Sequence, residues 1–239
     1  MINPVTLPIY THLIPALILL LASLTTSPPI PDLLPPLPPT PQSLLHLTTH
    51  TATLTLLLST LYHVHQHKSP QPSSTLYLRL DQLGIILLIV VNSITGIYFG
   101  FYEDTPIRDG YMVLILSLSI FPITTHLLLP SRYTSSPEYN TLRIISLLLP
   151  ALSAVIPIFH GYLLHGGEYL LSVGVGWYVS EGVVVLFGVC VYLMRFPERW
   201  YTSLWTEVCT SHVVWHVCVV VGIGFHIMGV RQAVRFWFE

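Results

Sequence analysis

Apolar residues come in long blocks along this chain, separated by short polar or proline-rich breaks. Crossing the hydrocarbon core of a bilayer takes about 20 mostly apolar residues in a helix. Seven stretches reach that length, at residues 7–24, 44–64, 76–99, 109–130, 142–164, 169–194 and 208–230. The breaks between them hold Pro, Gly, Ser or charge. The pattern predicts an all-α fold, a seven-transmembrane helix bundle, as a single membrane domain over residues 1–239. The first break is unusual. Residues 28–41 read PPIPDLLPPLPPTP, with eight prolines, a run that favours polyproline II over helix. A proline-rich linker over residues 25–43 is expected.

Composition agrees. Of 239 residues, 52% are hydrophobic and 8% are charged, against roughly 25% charged in an ordinary soluble domain. A soluble fold of this size could not cover so much apolar surface, so the bilayer is the expected solvent. A formal net charge of -2 argues against nucleic acid as a partner, because phosphate binding needs a strongly basic face. The three cysteines, Cys190, Cys209 and Cys218, are odd in number and sit in or beside apolar stretches. They read as packed thiols, not as a disulfide framework. Met1, Ile2, Asn3 and Pro4 lead into the first stretch without a basic region or a small-x-small site, so no cleavable signal peptide is expected.

Loop charges suggest an orientation. The side that holds the N-terminus carries Lys68, Arg79, Arg132, Arg143, Arg195 and Arg199, whereas the other side carries Arg108, Arg231 and Arg235. This bias places the N-terminus in the cytosol, in a plasma membrane or endomembrane that the sequence does not distinguish.

Ionisable residues inside spans are costly, at about 2.5–3.5 kcal/mol for a central charge on insertion scales, and so mark functional sites. Span two ends LLLSTLYHVHQH, with Ser59 and His63 four apart on one helix face. Span three opens LRLDQLGIILL, with Asp81 just inside. Span seven opens CTSHVVWHVCVVVG, with His212 and His216 four apart. Parity puts all five at one mouth of the bundle, within about two helical turns, or under roughly 11 Å. Three imidazoles suit zinc, which in catalytic sites takes three protein ligands and keeps a fourth position for water. The metal lowers the pKa of that water toward about 7. His63, His212 and His216 are the expected zinc ligands. Asp81 could accept a proton from the water, and Ser59 could hydrogen-bond the carboxylate, the water or a substrate carbonyl. The chemistry expected is hydrolysis of a lipid amide or ester.

Blander readings accompany this one. A histidine near a span end is more often packed than ligating, and one H-x-x-x-H is a weak signal. Cys209, three residues before His212, could close the site as a fourth, structural ligand. His46, His50, His160, His165 and His226 group loosely toward the other side with no in-span carboxylate, which suggests interfacial packing. His65 and His67 are expected in the loop after span two. Glu181, Asn92 and His126 are buried polar residues whose partners the sequence does not name. A purely structural zinc in a receptor or sensor is the main alternative. A transporter ranks last, because the polar cluster lies at one end only.

These residues also carry a family likeness. YTHLIPA at 10–16, STLYH at 59–63, LDQLGIILLI at 80–89, RFPERW at 195–200 and SHVVWHVCVVVGIGFH at 211–226 occur in the order and spacing of known motifs. The chain resembles the progestin and adipoQ receptor family, which includes adiponectin receptors, fungal proteins linked to zinc and sterol homeostasis, and hemolysin-III-like proteins. More distantly it resembles alkaline ceramidases. The resemblance implies a cytosolic N-terminus, zinc (Zn2+) on His63, His212 and His216, Asp81 on the zinc water and Ser59 lining the site. It also implies a ceramide-like lipid as substrate or ligand. Three departures stand out. The acidic residue and cytosolic segment usual before the first helix are absent. Trp200–Trp205 replaces a Gly-Lys-Phe-Asp stretch. Residues 28–41 are atypically rich in proline.

Overall fold

The computed structural model describes residues 6–25, 37–66, 73–128, 137–201 and 209–239, and no strand occurs among them. In chain order the helices are α1 Leu7–Thr25, α2 Pro39–Gln66, α3 Ser73–Gly100, α4 Thr105–Ile123, α5 Pro137–Ser153, α6 Val155–Ser172, α7 Val175–Met194 and α8 Ser211–Phe238. A π-helical turn, Thr124–Leu128, extends α4. Among the described residues, eight helices make seven crossings because α5 and α6 share one. Their junction at Ala154 lies between Pro150 and Pro157, and each proline withholds a helical N–H.

Six crossings are long and apolar enough to span a bilayer by composition. The seventh, α2, is rich in threonine, and its polarity is hidden in two ways. It packs between α1 and α3. Its hydroxyls also turn back on its own carbonyls: Thr48 to Leu44, Thr49 to Leu45, Thr53 to Thr49, Thr55 to Thr51 and Thr60 to Leu56, all at 2.8–3.1 Å. Each hydroxyl is thereby satisfied without water.

At the centre lies α8. Its Val219 and Ile223 pack with Ala16, Ala52 and Leu56 of α1 and α2. Nearer its C-terminus, Val230, Ala233 and Val234 pack with Leu45 and Phe99 of α2 and α3. Small residues let two helix pairs approach closely. A Cβ at Gly84 would stand 3.1 Å from the Thr55 Cα, and the single Thr55 hydroxyl proton is shared between the Thr51 carbonyl at 2.9 Å and the Gly84 carbonyl at 2.8 Å. On α8, a Cβ at Gly229 would stand 2.6 Å from the Tyr178 ring of α7.

Several sequence boundaries need correction. The helix α2 starts at Pro39, inside the expected proline-rich linker, because Pro39 and Pro41 fall in its first turn, where no N–H is needed. Of that linker, residues 26–36 lie outside the described residues. The sixth crossing begins at Val175, not 169. Gly166 and Gly174, at φ 81 and 83, break the helix on either side of a short segment. The last helix continues to Phe238 instead of ending near 230. His65 is still helical at the end of α2 and stacks on Tyr77 with ring centroids 4.0 Å apart. His67 lies outside the described residues.

Candidate metal centre

The end of α2 and the start of α8 meet at one end of the bundle, and α1 lies against both. The structure brings together the three histidines singled out in the sequence. One nitrogen from each of His63, His212 and His216 lies within 4.8 Å of the others. The His63 and His212 Nε2 atoms are 3.1 Å apart. His63 and His216 are buried and His212 is partly so. Tetrahedral coordination at about 2.0–2.1 Å places ligand nitrogens about 3.3 Å apart, so this donor set fits a metal ion with small adjustments. Cys209 is exposed and stands outside the group.

The tautomer of His216 follows from its neighbours. Thr11 donates its hydroxyl proton to the Pro8 carbonyl at 2.8 Å. Toward His216 its oxygen can therefore only accept. The His216 Nδ1–H donates to Thr11 Oγ1 at 3.0 Å and to the Pro8 carbonyl at 3.2 Å. That leaves Nε2 bare, as a metal ligand requires. His12 stacks on the His216 ring, centroids 3.8 Å apart and planes 6° from parallel.

Ser59 and Asp81 are brought near one another across the α2–α3 contact. The close approach at Gly84 sets this contact, since Thr55 and Ser59 are successive turns of α2 and Gly84 lies three residues beyond Asp81. Asp81 is not itself in the converging ligand set. Arg143, from α5, acts electrostatically on Asp81.

The N-terminus of α8 is fixed from the preceding turn. Glu198 accepts from the Ser211 backbone N–H at 2.8 Å and from its hydroxyl, a favourable place for a carboxylate. Burial pushes the Glu198 pKa up, but the hydrogen bonds from Ser211 and the nearby Arg195 outweigh it and hold the carboxyl below its ordinary value. A cavity of about 370 Å³ opens beside this turn, lined by Arg143, Ile144, Tyr192, Leu193, Arg195, Glu198, Ser211 and His212. It gives access to the His212 edge of the centre.

Sequence reasoning missed His12, Thr11, Arg143, Tyr192 and Glu198 as neighbours of the site. Thr11 and His12 lie inside YTHLIPA and Glu198 inside RFPERW, and that was the signal available. The far-side histidines are not one group. His160 bonds Tyr111 at 2.8 Å, His165 pairs with Asp104 at 2.8 Å and His46 stacks on His50. The expectation that no in-span carboxylate joins them is overturned, because Glu181 bonds His226 at 2.8 Å. Asn92 also bonds Glu181, and His126 bonds Ser146.

A family model for haemolysin-III-related proteins matches residues 2–227. The chain belongs to this family. Within it, the heptahelical transmembrane protein ADIPOR2 of Oryza sativa subsp. japonica is 30% identical over 158 residues, 66% of this chain and 68% of that protein. The ADIPOR-like receptor IZH1 of Eremothecium gossypii is 28% identical over 240 residues, 98% of this chain and 73% of that protein. The adiponectin receptor protein of Drosophila melanogaster is 28% identical over 158 residues, 66% of this chain but 35% of that protein. This chain thus spans from about a third to about three quarters of the length of these relatives. Like them, it is a multi-pass membrane protein of the adiponectin-receptor-like group.

Proposed function

We propose that this haemolysin-III-related protein is a zinc-dependent hydrolase of a lipid amide, with a ceramide-like molecule as substrate. The convergence of three histidines beside a Ser59–Asp81 pair carries the reading. His63, His212 and His216 would hold the ion, and the Pro8 and Thr11 oxygens fix the His216 ring. When bound there, zinc supplies a polarised water and a Lewis acid. Asp81 would take a proton from the water as its oxygen bonds to the amide carbonyl carbon, and would return that proton to the nitrogen as the C–N bond breaks, giving a fatty acid and an amine. Ser59 holds the Asp81 carboxylate in place. Arg143 faces the approach from the cavity side, and the apolar helix walls admit the lipid chains. The bias of Lys68 and the arginines toward one side supports a cytosolic N-terminus, which sets this mouth toward the cytosol.

Purified full-length protein is expected to carry about one zinc per chain, lost in His63→Ala, and to release fatty acid from ceramide. Asp81→Asn is expected to abolish release and retain the zinc. Full turnover in that variant, or no zinc in the parent, would defeat the reading.

Several relatives bear the name receptor, and this favours a second reading. There the zinc is structural and no lipid is turned over. His212→Ala would then lower thermal stability and signalling alike, while ceramide stays intact with the parent protein.

A further inference from the structure

A second polar cluster lies deep in the bundle, apart from the metal centre. His226 is ten residues beyond His216 on α8, about 15 Å along the axis. Glu181 of α7 accepts two bonds, one on each carboxylate oxygen. Asn92 Nδ2 of α3 donates to Oε1 at 2.7 Å, and His226 Nδ1 donates to Oε2 at 2.8 Å. A carboxylate at this depth is costly, and these two bonds do not complete the cluster. Among the described residues, His226 Nε2, Asn92 Oδ1 and the Tyr178 hydroxyl are buried with no partner. His226 is 2% exposed and Asn92 9%. Tyr178 stands beside His226, ring centroids 5.2 Å apart.

The leftover atoms specify their complement. With Nδ1–H spent on Glu181, His226 offers Nε2 as an acceptor. With its amide N–H on Glu181, Asn92 offers Oδ1 as another. The Tyr178 phenol both donates and accepts. Two acceptors beside a carboxylate repel an anionic ligand and call for a neutral O–H donor. Glu181 is 20% exposed, and the exposed apolar residues Val179 and Val183 stand two positions either side of it, on the opposite face of α7. The exposed edge of Glu181 is the place where a hydroxyl group can reach the cluster.

We propose that Asn92, Tyr178, Glu181 and His226 form a mid-membrane binding site for a hydroxyl group, supplied by a lipid alcohol or by water. The site stands independently of the metal reading, since no ligand of the metal centre takes part in it.

The test uses the full-length protein in phosphatidylcholine nanodiscs. One arm applies a long-chain alcohol bearing a diazirine, alongside the same chain ending in methyl. A lipid source predicts crosslinks on α3, α7 and α8 around these residues. They are made by the alcohol and not by its methyl counterpart. They fall about tenfold in Glu181→Gln and in Tyr178→Phe, equivalent to roughly 1.4 kcal/mol. Both variants keep side-chain shape, and unchanged melting temperatures confirm folding. The second arm applies radiolytic hydroxyl labelling, which reports internal water. A water source predicts Tyr178 modification in the parent that is lost in His226→Phe. Equal labelling by both chains together with an unmodified Tyr178 would overturn the site.

Discussion

The ring of His12 lies flat against the ring of His216, with centroids 3.8 Å apart. One face of an imidazole of the candidate metal centre is thereby covered by the first helix. Both nitrogens of His12 are buried and unpartnered among the described residues, so the contact is a stacking one. His12→Ala should open a void there and lower metal affinity by about tenfold, within the range for outer supports of a metal site. His12→Phe keeps an aromatic face and should retain most of the affinity. Competition against a zinc-chelating dye measures both.

Thr11 tests a different support. Thr11→Val removes one acceptor of the His216 Nδ1–H and leaves the Pro8 carbonyl as the other. Metal affinity should drop by about threefold to tenfold, less than the roughly 10–100-fold typical of such partners, because the Pro8 carbonyl remains. The melting temperature of the metal-free protein should change less than that of the loaded protein, because bound metal stabilises by mass action.

The α2–α3 contact makes a stability prediction. Gly84→Val pushes a branched side chain into the Thr55 backbone, already 3.1 Å from a single added Cβ. Overpacking of this kind costs about 1–3 kcal/mol. The same shift separates Ser59 from Asp81, so turnover should fall further than stability. Thermal unfolding in detergent and fatty-acid release, measured side by side, separate the two effects.

Glu198 links acidity to the start of α8. Its folded pKa lies below the ordinary 4.5. The stability it contributes is therefore complete above about pH 4.5 and is lost as the pH falls through the lower folded value. Glu198→Gln should lower the melting temperature at neutral pH. The gap between variant and parent should narrow in acid below that window, as followed by thermal scans from pH 7 to pH 3.

The three converging histidines were legible because two simple rules act together. A spacing of four fixes a helix face, and the parity of the crossings fixes which end of the bundle each face occupies. Neither rule reports rotation about a helix axis. That is why the pairing of Glu181 with His226 could not be read from the chain, although both residues stood out. His12 was hidden for a related reason, since its partner is 204 residues away and the contact is a ring stack with no spacing signature. The start of α2 was obscured by Pro39 and Pro41, which forbid a helix interior but tolerate a first turn. Around Leu170 and Leu171 the sequence stays apolar while Gly166 and Gly174 turn the backbone, so hydropathy alone carried the sixth crossing too far back.

The self-bonded threonines of α2 bear on how the chain enters lipid. On leaving the translocon, this segment has less drive of its own to partition, because threonine, serine and histidine interrupt its leucines. Its neighbours α1 and α3 are both strongly apolar, and they are the two helices against which it finally rests. Biogenesis should therefore treat the first three helices as one cohort, and a weakened first helix should strand the second outside the bilayer.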